Sequence, residues 1–419
     1  MWEETLTYSR RAGDKAVELS AYREARVFYD QSLLALKHLP QDRGHIEIAI
    51  DIRLGLRAIF GATADYPALE DCMREAEALA LSIDDRPRLA AISVAQTLVH
   101  NWRGDLDASI GSGERALGIA REIRSSRLEL PASFYLGQAY MWRGDFRRSL
   151  ALLQHNQAWT EGPLRQERIG TTGTSSVLWL GMLAASHAYL GNFAEARAAA
   201  EKACAIADEV NRPYDVALAY WYAGFVLSHQ GKVTEALVPL QHGFQICRSA
   251  QISFLIPVLS TSLGYAYALS GRGEEGVALL SKALEFSQSA RFHYGVAWST
   301  SYLGFAKLHT GHNDDVGILA RNAIELASTH HYRAVEVAAR RLMAEACQHR
   351  GEFIQAGDFF RHSLALATEL GLGPEQAHCR RGLAQVEDRL GHREEAEQLL
   401  RLAAQTYAAL DMPAPATRP

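Results

Sequence analysis

No stretch of the chain approaches the roughly 18 consecutive apolar residues that a membrane helix needs. Its start, Met1-Trp2-Glu3-Glu4-Thr5-Leu6-Thr7, has no basic segment leading into an apolar one, so neither a membrane span nor a secretory leader is expected. Cysteine is scarce: Cys72, Cys204, Cys247, Cys347 and Cys379 are scattered, and none forms a C-x-x-C pair. Such residues read as buried small side chains in a reducing compartment, and the cytoplasm is the expected location. An excess of positive charge is missing too. The formal net charge is −5, which argues against a broad surface for nucleic acid or for an anionic membrane. The alternation of β-branched residues that marks strands does not occur.

The motifs of common catalytic centres are also absent. There is no G-x-x-x-x-G-K-[ST] phosphate loop, no H-E-x-x-H and no G-x-S-x-G. Gly271-Arg272-Gly273-Glu274-Glu275-Gly276 does spell G-x-G-x-x-G. A dinucleotide fingerprint needs a strand before it, whereas Thr261–Ser270 carries a helical pattern. The acidic pairs Glu274-Glu275, Asp314-Asp315 and Glu394-Glu395 each follow a turn glycine, where carboxylates complement the positive end of a helix dipole. The histidines are dispersed, with His330-His331 at a junction and none at ligand spacing with a second histidine and a carboxylate. No enzyme activity, cofactor or metal is therefore expected of this chain.

What the chain does have is a beat. Gly191, Gly231, Gly271, Gly311, Gly351 and Gly391 recur every 40 residues, and self-similarity at such a period marks a stacked repeat architecture. Seven residues before these turns stand Gly224, Gly264, Gly304, Ala344 and Ala384. Five after stand Ala196, Ala236, Gly276, Ala356 and Ala396, with Val316 the exception. Twelve after stand Ala203, Gly243, Ala283, Ala323, Ser363 and Ala403. Small side chains at those places let two antiparallel helices cross closely, and a left-handed glycine ends the first of each pair. Earlier turns are expected at Ser20-Ala21, Ala64-Asp65, Gly104-Asp105 and Gly144-Asp145, with a longer loop around Gly61. The count is ten helix pairs.

The spacing of small residue, aromatic, turn glycine and alanine, seen in Gly137, Tyr140 and Gly144 and again in Gly264, Tyr267, Gly271 and Ala283, resembles the tetratricopeptide repeat. The resemblance implies an all-α superhelix (a solenoid) in which the first helix of each pair lines a concave groove. The positions it places there are Trp102, Phe134, Gln138, Met141, Trp142, Tyr189, Trp221, Phe225, His229, Tyr265, Phe305 and His309, followed by a polar stretch with Arg341, Glu345, Gln348, His349, Arg381, Gln385 and Arg389. Aromatic rings suit an extended peptide or an amphipathic helix, and the arginines suit an acidic group on a ligand. Packing of the same rings against adjacent repeats is the competing reading. The groove reading expects Trp221→Ala with Phe225→Ala to abolish binding and barely lower the melting temperature.

Four segments are expected: repeats over 1–160, a Gly/Ser/Thr-rich loop over 161–173, strictly periodic repeats over 174–410, and a Pro/Ala-rich disordered tail over 411–419. The stretch from Ala21 to Pro40, with Ile46 to Arg57, is similar to the start of the C-terminal helical region in bacterial class III adenylate/guanylate cyclases that carry a STAND-type ATPase domain. That similarity implies a sensor or regulatory arm of a signalling ATPase or cyclase. The expected function is a non-catalytic scaffold that binds a protein or peptide segment in its groove. The alternative is the sensor arm, with a cyclase or ATPase domain as partner.

Overall fold

In a computed structural model, residues 1–18, 21–63, 65–155, 158, 161–162 and 165–413 are described. They form twenty α-helices and no strand. The chain divides into two compact units, Met1–Leu136 with Ile169–Thr172, and Gly137–Arg168 with Gly173–Pro419.

The first unit holds α1 (Trp2–Glu18), α2 (Tyr22–Leu36), α3 (Arg43–Thr63), α4 (Tyr66–Ser82), α5 (Arg86–Arg103), α6 (Leu106–Glu122) and the first part of α7 (Ser126–Arg143). The loop expected around Gly61 is replaced by helix, because α3 runs unbroken from Arg43 to Thr63. Arg57, too large for its crossing position, instead donates from Nη1 to the Gly170 carbonyl at 2.9 Å. Ser20 and Ala64, which belong to two of the expected turns, lie outside the described residues.

The second unit continues with α8 (Phe146–His155), α9 (Ser175–Leu190), α10 (Phe193–Val210), α11 (Pro213–His229), α12 (Val233–Ser249), α13 (Ile256–Leu269), α14 (Gly273–Ser289), α15 (His293–Thr310), α16 (Val316–Thr329), α17 (Arg333–His349), α18 (Phe353–Leu370), α19 (Gly373–Leu390) and α20 (Arg393–Ala409). The expected tail is described only to Pro413; residues 414–419 lie outside. Residues 165–173 are not helical. The Thr174 amide and hydroxyl both donate to the fully buried Asp215 carboxylate at 2.7 Å, which anchors the start of α9.

Each turn glycine from Gly191 to Gly391 is left-handed, with φ between 78° and 89°. The next amide reaches back to the helix in the Schellman pattern, as in Asn192 N–H to His187 O at 2.9 Å. A second beat falls midway between these glycines. Asn211, Gln251, Arg291, His331, Gly371 and Asp411 are also left-handed. They end the second helix of each pair, and the amide after each of the last five closes the same way, as in Tyr332 N–H to Ala327 O at 2.8 Å. The residue that follows is apolar and buried in the later pairs: Phe292, Tyr332, Leu372 and Met412. That is the hydrophobic contact a Schellman cap usually carries.

The small residues sit where helices cross. A methyl on Gly264 would stand 2.9 Å from the Gly276 carbonyl oxygen, so α13 and α14 touch through backbone. This accounts for the G-x-G-x-x-G string: Gly271 is the left-handed cap and Gly276 a crossing point, with helices on both sides. Val316 departs from the small-residue rule because α16 begins at Val316 itself, so the turn after Gly311 is longer than its counterparts.

Candidate functional site

The second unit curls onto itself within five pairs. The turns ending α7, α9 and α11 lie against the far ends of later repeats: Gly144 beside Arg333 and Leu370, Gly191 beside Leu410 and Pro374, and Gly231 beside Pro413. Asp411 accepts from Gln230 Nε2 at 3.0 Å and Lys232 Nζ at 3.1 Å. Inside this turn, one cavity of about 70 Å³ is lined from six alternate helices. Tyr189 comes from α9, Ser228 and His229 from α11, Tyr265 from α13, and Trp298, Ser301, Tyr302 and Phe305 from α15. Arg341 comes from α17, and Glu375 and His378 from α19.

The rings meet at steep angles. Tyr302 stands edge-on to Tyr265 (4.5 Å, 68°) and to Trp298 (5.4 Å, 67°). Tyr189 meets His229 at 5.1 Å, and its hydroxyl lies 3.3 Å from that of Tyr294. Such edge-to-face contacts are the favoured arrangement for aromatic quadrupoles.

Arg341 supplies the charge. Its guanidinium lies 4.2 Å over the Phe305 ring and is gripped by two carboxylates: Nε and Nη2 donate to Glu375 at 2.7 and 3.2 Å, and Nη1 to Glu345 at 2.7 Å. The Arg341 side chain is 11% exposed and that of Glu375 21%. Burial pushes the Glu375 carboxyl upward, but the charge and hydrogen bonds of Arg341 outweigh it and hold the group below its ordinary value. Burial brings His229 down to about 4. Burial, joined by the Arg341 charge, brings His378 down to about 3. Both imidazoles are therefore uncharged near neutrality. His229 Nδ1–H donates to the Phe225 carbonyl at 3.0 Å, and His378 Nδ1 shares a hydrogen bond with the Tyr407 hydroxyl at 2.9 Å.

Of the residues expected in the groove, Tyr189, Tyr265, Phe305 and Arg341 are brought to this cavity, and His229 joins them. Phe225 is 3% exposed and lies 3.9 Å from the His229 ring. Trp221 packs on Phe225 at 5.5 Å and donates from Nε1 to Ser262 Oγ at 2.9 Å. Trp142 is buried and stacks on Tyr294 at 4.4 Å and 10°. Gln138 is half-buried in the second unit, as is Arg381, while Arg389 is exposed. Trp102 and Phe134 are buried in the first unit, at 4% each.

The expectation that Trp221→Ala with Phe225→Ala would barely affect stability is revised. Phe225 is packed on several sides, so its truncation alone is expected to cost about 3–5 kcal/mol. Arg341 does not await an acidic ligand, because two carboxylates already hold it. Trp298, Tyr302, Glu375 and His378 were not among the expected groove positions. They stand 13 and 9 residues before Gly311, and 16 and 13 before Gly391, whereas the expected Phe305 and His309 stand 6 and 2 before Gly311, and Arg381 and Arg389 10 and 2 before Gly391.

Among the described residues, one group of metal-ligand type lies together: Glu387, His392 and Glu395 at the last turn. Its buried member, Glu387, already accepts from Arg361 and meets His392 Nδ1 at 2.6 Å. No described helix is long and apolar enough to cross a membrane.

Two stretches match models of the tetratricopeptide repeat, residues 178–211 and 335–409. No curated protein matches the chain. Among solved structures, a Rap protein complexed with competence and sporulation factor is similar at 13% identity, over 88% of this chain and 99% of that one, with a TM-score of 0.66. Aspartyl phosphate phosphatase F from Bacillus subtilis is similar at 14% identity, over 86% and 93%, with a TM-score of 0.49. A STAND signal-transduction ATPase with a tetratricopeptide repeat sensor from Pyrococcus horikoshii is similar at 12% identity, over 90% and 54%, with a TM-score of 0.46. The fold is thus an all-α solenoid containing tetratricopeptide repeats, shared in outline with the Rap protein.

Proposed function

We propose that the chain is a non-catalytic binding platform whose second unit takes a peptide segment or other ligand group into its inner cavity. The observation that carries this reading is the convergence of six inner helices on one aromatic-walled space with a buried ion pair at its edge. Concave, mostly apolar sites with a few placed polar groups are where proteins hold ligands. The fold it shares with a Rap protein that is complexed with competence and sporulation factor supports a binding role. The thiols speak against a cysteine nucleophile: burial pushes Cys72, Cys204, Cys247 and Cys379 up to about 12, the opposite of an activated thiol.

Ala338 lines the cavity, and Ala338→Trp would fill it. Affinity capture with the intact chain, read by mass spectrometry, should recover a partner that Ala338→Trp loses while its melting temperature stays near wild type. A partner recovered equally by both would place binding elsewhere and defeat the reading.

A further inference from the structure

We infer that the start of α1 is fastened to α3 by a proton-operated clasp, His45 held between Asp42 and Glu3, which releases that end of the first helix pair as pH rises.

A neutral imidazole carries a proton on one of its two nitrogens, and an ionised carboxylate accepts but does not donate. Both nitrogens of His45 meet carboxylates: Nδ1 lies 3.0 Å from Asp42 Oδ2, and Nε2 lies 3.0 Å from Glu3 Oε1. The two bonds stand together when the ring is the doubly protonated cation. Loss of one proton turns a ring lone pair toward a carboxylate. Asp42 is held in place, because its Oδ1 accepts from the His45 amide at 3.0 Å. Glu3 belongs to α1, and its side chain is 62% exposed. The bond to Glu3 is therefore the one that yields, and it is the one that joins α1 to α3.

Elsewhere along the pair other contacts hold it. Tyr29 presses on Gly55, where an added methyl would stand 2.8 Å from the tyrosine hydroxyl, and Arg26 lies 4.7 Å over Phe60. Arg10 donates to Asp51 at 3.2 Å. At the His45 end, a groove of about 540 Å³ is lined by α2, α3 and α4, with Leu33, Leu36, Ile46 and Ala49 along it and His45 among them.

The surrounding charges set the direction. Lys37 and Glu75 line the same groove, Glu75 already paired with Arg53 at 2.8 Å. Glu47 on α3 is taken by Arg43 at 3.0 Å. His38, after α2, stacks on Trp2 at 4.2 Å. Burial pulls His45 down, but Asp42 and Glu3 raise it overall. A histidine raised in the folded state keeps its contribution below the ordinary value of 6.5 and loses it as pH climbs through the folded value. The clasp is shut in mildly acidic solution and opens in mildly alkaline solution.

Two measurements on the intact chain test this. Nitrogen NMR of the His45 ring should show both nitrogens protonated at about pH 6, with a midpoint at least about half a pH unit above 6.5, or about threefold in proton affinity. Hydrogen-exchange protection of the amides from Leu6 to Ser9, corrected for the intrinsic effect of pH, should drop about threefold from about pH 6 to about pH 8, while protection in α5 stays constant. Glu3→Gln should bring the midpoint back toward 6.5 and remove the drop. His45→Gln should remove it too, which separates His45 from His38. A midpoint at or below 6.5, a midpoint unmoved by Glu3→Gln, a raised midpoint without the drop, or a drop that survives His45→Gln overturns the inference.

Discussion

Arg291 and Gly391 share a left-handed backbone, with φ of 51° and 89°, but only glycine adopts it without a steric cost. An L side chain there loses roughly 1–2 kcal/mol. Arg291 is exposed, so Arg291→Gly should raise stability by up to about 1 kcal/mol, while Gly391→Ala should lower it by about the same or more. Urea midpoints at unchanged slope would test both signs. The contrast also explains which beat could be read in advance. The first is written in glycine. The second is filled by Asn211, Gln251, Arg291, His331 and Asp411, side chains without a common type, and only Gly371 betrays it.

Between elements, the bond from Arg341 on α17 to Glu375 on α19 spans alternate helices and is largely shielded from water. Breaking one side of such a pair leaves an uncompensated charge, so Arg341→Met should cost about 3–5 kcal/mol. Arg341→Met with Glu375→Leu should recover much of that loss, which a double-mutant cycle would measure. A weaker joint closes the second unit. Asp411 is 75% exposed, and its ion pair with Lys232 contributes little; the apolar seat of Leu410 on Gly191 does more. Leu410→Asp should therefore raise amide exchange at the turns around Gly191 and Gly231 while leaving α14 protected. Neither joint was legible in the sequence, because residues 34 and 219 positions apart carry no periodic mark of their pairing.

Across the whole molecule, pH should act through the buried imidazoles. His229 and His378 are held far below the ordinary imidazole value of 6.5, first by burial. His100 and His187 are lowered too, again mainly by burial. The unfolded chain can protonate these rings where the folded chain cannot, so stability should fall as pH drops below 6.5 and keep falling toward about 4. His45 acts in the opposite sense: burial pulls it down, but Asp42 and Glu3 raise it overall, so its contribution is present at low pH and lost as pH rises. Glu375 adds its own loss only below the ordinary carboxylate value of 4.5. Denaturant midpoints from about pH 7 to about pH 5 should show the decline, and His229→Gln with His378→Gln should flatten it.

The 40-residue period by itself determined the all-α class, six of the helix pairs, the left-handed glycines that end their first helices and most of the small residues at their crossings. Each of these is a contact between neighbours a fixed distance along the chain, and a repeating contact leaves a repeating residue. Only the tertiary structure decided which inward rings meet. The curl of the second unit builds up over successive pairs, and it brings Tyr189 to Tyr294 and Leu410 to Gly191. A period records each step of a solenoid, while the cavity depends on how far the steps have turned when the ends meet.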